Sequence, residues 1–248
     1  MSHRTSVWRP ERPGERLFVA LDVAGARAAL RLAELLPEAL PGVKVGSQLF
    51  TSAGGDVVRE LKRAGRRVFL DLKFHDTPQT VKGAVASAAE IGADLVSVHA
   101  SGGRRMMEAA REGRGEAPLA LLAVTLLTSI GARDAAAIWG PGFFSLAEQV
   151  DRLVDLAAEA GMDGVVTSGQ EAARIKARHR SGLLVLTPGV LPAWARVEYR
   201  DQARVATPRE ALEAGADLLV VGRAVHADSD PAAAAARLLE EVEEVEVP

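Results

Sequence analysis

The sequence predicts a single α/β domain, folded as a closed (β/α)8 barrel of the TIM type. Three observations carry this expectation. Eight short β-rich windows alternate with helical patterns along the chain. Four of the helical windows close on glycine and pass almost at once into the next strand: "KRAGRR", "AEIGADL", "AEAGMDG" and "LEAGADL". Finally, 248 residues without a linker-like stretch suit one barrel, a fold that commonly occupies about 250.

The first strand window is "RLFVAL" (16–21), and an Ala/Leu-rich pattern at 26–36 supplies the helix behind it. "GVKVG" (42–46) precedes a helix at 53–64, and "RRVFLDL" (66–72) precedes one at 79–91. "DLVSVH" (94–99) is followed by 103–112, "LALLAVT" (119–125) by 145–160, and "DGVVTS" (163–168) by 170–178. "GLLVLTP" (182–188) leads to 207–214, and "DLLVVG" (217–222) leads to a last Ala-rich helix at 231–244. Nearly every strand window is apolar on both faces, which fits parallel strands covered on both sides. Glycine past the last helical turn can take the left-handed conformation that ends a helix, which gives short helix-to-strand turns. A six-strand open sheet of Rossmann type is the competing architecture. It is weakened because no G-x-G-x-x-G follows the first strand. Residues 1–15 read as a polar N-terminal arm ahead of the barrel at 16–248.

Composition excludes several function classes. A net charge of −3 argues against a nucleic-acid partner, which usually meets a basic stripe. The absence of cysteine removes a disulfide framework, a thiolate nucleophile and a Cys-based metal site. That usage fits a cytoplasmic enzyme. The longest apolar runs, such as "APLALLAVTLL", are too short to span a bilayer, so no membrane partner is expected.

In such a barrel the chemistry sits at the C-terminal ends of the strands, and those ends are polar here. Asp22 follows strand 1, Lys44 lies in strand 2, and Asp71 and Lys73 close strand 3. His99 closes strand 4, Thr125 and Thr128 follow strand 5, Ser168 follows strand 6, and Gly222 and Arg223 follow strand 8. Asp94 opens strand 4 and stands apart from this set. Residues two apart on a strand share a face, so Asp71 and Lys73 should point together, with Leu70 and Leu72 toward the helices. One acid or base at a strand end is as readily a cap or a solvated charge. Asp-x-Lys with Asp76 three residues on, and Lys44 on the neighbouring strand, is more telling. These residues can form a mixed-charge cluster, costly to bury unless its charges alternate and pair. His75 and His99 read as structural.

The far side resembles a phosphate holder. Pro188 and Gly189 in "LTPGV", with Gly222 and Arg223 in "VVGRAV", occupy the loops after strands 7 and 8, which often bind phosphate in this fold. Arg223 offers a fork suited to phosphate oxygens. The long segment 190–201, bearing Arg196 and Arg200, reads as a lid.

"FVALD", "VKVGSQLF", "FLDLKFHDTPQTV", "VTLLTS", "LTPGV", "DQARVATP" and "LLVVGRAV" occur in an order and spacing that resemble the orotidine 5′-phosphate decarboxylase family, from about residue 16 to 230. The resemblance implies cofactor-independent decarboxylation of orotidine 5′-monophosphate to uridine 5′-monophosphate, the last step of de novo pyrimidine nucleotide synthesis. It implies an alternating charge network of Lys44, Asp71, Lys73 and Asp76, with Lys73 as proton donor and no metal. It further implies a homodimer with shared active sites, Asp76 and Thr77 reaching into the neighbour's site. By the same resemblance Asp22 and Lys44 hold ribose hydroxyls, Thr128 meets the pyrimidine, and Gln202, Gly222 and Arg223 hold phosphate or anchor the lid. Bacterial members often carry Arg where this chain has Leu191; Arg196 is the favoured substitute, Arg200 another candidate, and phosphate binding by Arg223 alone the remaining alternative. Sugar-phosphate decarboxylases and hexulose-phosphate synthases share D-x-K-x-x-D, so an enzyme of that kind is the alternative. A non-catalytic nucleotide-binding barrel is another.

Overall fold

The computed structural model describes residues 8–140, 145–179, 182–195 and 206–245. Its eight strands close into a parallel barrel in sequence order. They are β1 Leu17–Ala20, β2 Gly42–Gly46, β3 Arg67–Phe74, β4 Leu95–His99, β5 Ala120–Val124, β6 Gly164–Val166, β7 Leu184–Val190 and β8 Leu218–Val221. All eight expected strands are present. β3 and β7 run two residues beyond their windows, and β6 stops two residues short because Ser168 already turns into the next helix.

The helices are α1 Ala26–Leu35, α2 Ser47–Ala53, α3 Asp56–Arg63, α4 Pro78–Glu90, α5 Arg104–Arg114, α6 Ala132–Trp139, α7 Leu146–Glu159, α8 Gly169–His179, α9 Pro208–Glu213, α10 Arg223–His226 and α11 Pro231–Glu243. The single helix expected at 53–64 is in fact two, parted at Gly54, whose φ of 64° ends α2. α6 and α10 were not expected. α10 is one turn long, below what periodicity can reveal. α6 is a short helix bounded by Gly131 and by Gly140 at φ 74°.

Alternation along the strands divides the core in two. Phe18, Ala20, Phe69, Leu95, Leu122, Val166, Leu186 and Val220 fill the lumen. Val19, Val43, Leu70, Val96, Leu121, Val165, Val185 and Leu219 face the helices. The described part of the N-terminal arm packs against the barrel. From residue 8 it closes the lower end of the barrel. Trp8 meets Phe18 edge-on at 6.4 Å, and the Arg67 guanidinium lies 3.7 Å above the indole ring.

Three of the glycine-closed junctions hold an aspartate directly ahead of an even-numbered strand, and all three make the same latch. Asp94 accepts the Val68 N–H at 2.7 Å and pairs with Lys62 at 2.6 Å. Asp163 accepts from Leu121 N–H at 2.8 Å and pairs with Arg114 at 2.5 Å. Asp217 accepts from Val185 N–H at 2.6 Å and pairs with Lys176 at 2.5 Å. Each latch ties the foot of an odd strand to the helix before it and to the start of the next strand. Burial pushes the Asp163 carboxyl above the usual range, and the Leu121 and Arg114 contacts only partly offset it. Its pair with Arg114 therefore adds little net energy, yet removing one partner strands the other. Asp163→Ala is expected to lower unfolding free energy by about 3–5 kcal/mol in urea titration, with kcat unchanged because the latch lies at the end opposite the strand tips.

Candidate active site

Chemistry-bearing side chains gather at the upper rim of β1 to β4. Lys44 sits on the lumen face of β2, between Asp22 and Asp71. Its Nζ lies 3.1 Å from Asp22 Oδ1 and 3.9 Å from Asp71 Oδ2. Lys73 Nζ lies 2.7 Å from Asp71 Oδ2. The row Asp22–Lys44–Asp71–Lys73 thus alternates in sign; it brings together Lys44, Asp71 and Lys73 of the cluster expected from the sequence, with Asp22 in place of Asp76. Asp71 and Lys44 are nearly buried, with side chains only 11% and 12% exposed. Asp22 and Lys73 are more open. A buried charge in such a row is compensated from both sides.

The meeting of Asp71 and Lys73 does not arise from regular strand alternation. Leu70 pairs with Val96, yet Phe74 pairs with Val98, so the segment between them bulges out of the ladder. Within it Lys73 takes a left-handed backbone, φ 51°, the one non-glycine residue to do so among those described. Such a conformation costs about 1–2 kcal/mol and gathers at functional sites. The displaced Lys73 N–H donates to Ser97 Oγ at 2.9 Å, and Ser97 Oγ donates to Asp71 Oδ1 at 2.8 Å. Leu70 and Leu72 face the helix-side core, as expected.

A cavity of about 350 Å³ opens beside this row, within the range of small-molecule sites. Asp22, Lys44 and Asp71 form one wall. Pro188, Gly189, Gly222 and Arg223, from the upper ends of β7 and β8, line the rest of it, with Leu191 and His226. Gly189 needs its glycine, because φ is 70°. Gly222 does not need one on grounds of space, since a Cβ there would stand 3.8 Å from that of Ala20. Leu191 is buried in the helix-side core, which accounts for an apolar residue at that position. A larger hollow of about 980 Å³ lies at the lower end of the barrel, near Arg12, Glu15, Arg66 and Arg67. Its cations are already committed: Arg12 to Glu15, Arg66 to the carbonyls of Leu36 and Leu40 in the turn after α1, and Arg67 to Trp8. The smaller cavity, with its alternating charges, is the candidate site.

Not every expected residue joins it. Asp76 is exposed on the rim and accepts the Thr77 N–H at 2.6 Å, so among the described residues of one chain the charge row ends at Lys73. Thr77 is exposed and stands at the N-cap of α4, its hydroxyl 3.0 Å from that of Thr80. Thr125 is used structurally, since both its N–H and its hydroxyl bond to Val166 O. Thr128 is half-buried in the loop after β5 and keeps no such structural tie to β6. Arg196, Arg200 and Gln202 lie outside the described residues.

The sequence reading missed three residues. Ser97 is fully buried and touches both reactive-looking partners. Gly46, the last residue of β2, leaves room for the row, because a Cβ there would come within 2.9 Å of Lys44 Nζ. His226 lines the cavity, and nothing local in its sequence marks it.

The comparisons bear on this geometry. The family profile described as "Orotidine 5′-phosphate decarboxylase / HUMPS family" matches residues 15–238. The chain belongs to that family. The orotidine 5′-phosphate decarboxylase of Sodalis glossinidius is 44% identical over 238 residues, covering 94% of this chain and 92% of its own. That of Pseudomonas aeruginosa strain LESB58 is 48% identical over 230 residues, covering 91% and 97%. Among solved structures, orotidine 5′-phosphate decarboxylase from Lactobacillus acidophilus superposes with a TM-score of 0.80 at 33% identity, covering 96% of this chain and all of that one.

Two histidines near the charge row have lowered pKa values. Burial lowers the His99 pKa first, and the nearby His75 and Lys73 lower it further, against Asp71. Burial likewise lowers that of His226, opposed in part by Asp22. Below about pH 6.5, the value of a free imidazole, the unfolded chain takes up protons that the fold refuses. Stability is therefore whole above that pH and falls on acidification. The decline in Tm from about pH 7.5 to about pH 5.5 is expected to be shallower in His99→Gln/His226→Gln than in the wild type, measured by calorimetry.

Proposed function

We propose that this protein decarboxylates orotidine 5′-monophosphate to uridine 5′-monophosphate without a cofactor, as a cytoplasmic enzyme. The carrying observation is the alternating Asp22–Lys44–Asp71–Lys73 row, of which Asp22, Lys44 and Asp71 line the cavity together with Gly189 and Arg223. This spacing suits a nucleotide with ribose at Asp22 and Lys44, phosphate at Gly189, Gly222 and Arg223, and the pyrimidine carboxylate near Asp71. Thr128 would meet the base edge. Gln202 and Arg196, in the segment that follows β7, would cover the phosphate.

The reaction breaks the bond from C6 to the carboxylate. CO₂ leaves, and the electron pair stays on C6 in the ring plane, where no carbonyl can absorb it. Asp71 sets a fixed negative charge against the substrate carboxylate. Two carboxylates about 4 Å apart repel by roughly 4 kcal/mol at an effective dielectric of 20, worth about three powers of ten when relieved. Strong enzymic accelerations require about 8–23 kcal/mol. The remainder falls to Lys73, whose ammonium stabilises the developing carbanion and then gives C6 its proton. Phosphate binding would assist by closing the loop and excluding water.

The direct test adds orotidine 5′-monophosphate to purified protein in chelator and follows the ultraviolet absorbance loss. Steady turnover is expected. No change overturns the assignment, and activity that appears only with Mg²⁺ and a sugar phosphate favours a hexulose-phosphate synthase. Lys73→Ala should lower kcat by at least about a thousandfold while the protein stays folded by circular dichroism; near-normal turnover removes this lysine from the mechanism.

We further infer a homodimer in which the exposed Asp76 and Thr77 complete the partner's site, since the charge row within one chain stops at Lys73. Mixing inactive Lys73→Ala with inactive Asp76→Ala should then restore activity to about a quarter of the wild type. Half the dimers are mixed, and each holds one intact site. A mixture as inactive as its parents removes the shared site.

A further inference from the structure

We propose that Ser97 is a positioning residue for the decarboxylation, fixing Asp71 and Lys73 in their working geometry through one hydroxyl. The inference rests on the decarboxylase reading above and adds a residue to it.

Ser97 is fully buried in β4, on its lumen face between Leu95 and His99. A buried hydroxyl must find partners, and here it has two that matter. It donates to Asp71 Oδ1 at 2.8 Å and accepts from the Lys73 N–H at 2.9 Å. Donation occupies the Asp71 oxygen that Lys73 does not, leaving Oδ2 to the Lys73 and Lys44 ammonium groups at 2.7 and 3.9 Å. The carboxylate is therefore gripped at both oxygens and cannot rotate freely.

Acceptance solves a second problem. In the bulge the ladder partners skip from Leu70–Val96 to Phe74–Val98. Lys73 stands there with left-handed backbone and takes its hydrogen bond from a side chain of the next strand. Without the Ser97 oxygen its N–H would face a site where unpaired donors are costly, and the bulge would be free to relax toward a regular strand. Lys73 Nζ would then leave its place above Asp71. A hydroxyl both donates and accepts within one small volume, which an alanine or a valine at this position cannot do. Ser97 reaches the reaction only through these two partners.

The test compares wild type, Ser97→Ala and Ser97→Thr with orotidine 5′-monophosphate, together with uridine 5′-monophosphate affinity by calorimetry. In Ser97→Ala, kcat should fall about 10- to 100-fold, the scale of a small misplacement of reacting groups. KM and product affinity should move less than about threefold, because the ribose and phosphate contacts are untouched. Ser97→Thr keeps the hydroxyl and should recover kcat to within about fivefold of the wild type. Should Ser97→Ala not fold, Ser97→Cys replaces it, filling the same space with a weak donor; kcat about tenfold down is then expected. An alanine variant with wild-type kcat overturns the inference. So does one in which kcat falls and product affinity weakens in step, the mark of general loosening. Wild-type protein without turnover overturns the decarboxylase reading, and this inference with it, whereas an active wild type with an unaffected Ser97→Ala overturns this inference alone.

Discussion

A negative charge held almost out of water at Asp71 is the constraint on which the upper half of this protein depends. An isolated carboxylate there would be prohibitively costly, so the surroundings are built to answer it. Lys73 takes one oxygen, Ser97 takes the other, and Lys44 links the group to Asp22. Several otherwise odd features follow from that requirement. Gly46 lacks a side chain because one would displace Lys44. β3 bulges because Lys73 must fold back over Asp71.

The two ends of the barrel divide the work. At the lower end, the aspartates before β4, β6 and β8 latch strands and helices together, and Trp8 closes the lumen over Phe18. At the upper end, charges are left partly open and the backbone is strained. Hydrophobic layers of the lumen separate the two. This arrangement lets stability be secured away from the site while the rim carries groups chosen for chemistry. The same residue type serves both ends: Asp163 before a strand is a fastener, and Asp71 near the end of one is part of the candidate active site.

Much of this was legible in the chain. Parallel strands buried on both faces leave apolar windows such as "LALLAVT", and all eight strands were found. Lys44, Asp71 and Lys73 stood out because charged residues at strand ends contradict the apolar pattern around them. The short helices α6 and α10 escaped, being too brief for periodicity to show. Trp8 escaped because an arm rich in Arg, Glu and Pro hides one aromatic residue. That Thr125 is tied to Val166 of the neighbouring strand could not be read from its place after strand 5.

By itself, the sequence determined the order of the elements and which side chains arrive at the rim, because both depend on local spacing along strands and helices. The tertiary structure decided which of those side chains meet. Lys44 and Asp22 are 22 residues apart, and Ser97 and Asp71 are 26 apart, so their contacts exist only once neighbouring strands lie in register. Ser97 shows the difference most clearly. As one residue in "DLVSVH" it reads as a polar interruption of a strand. Beside the bulge of β3 it becomes the hydroxyl that holds an acid and a base together.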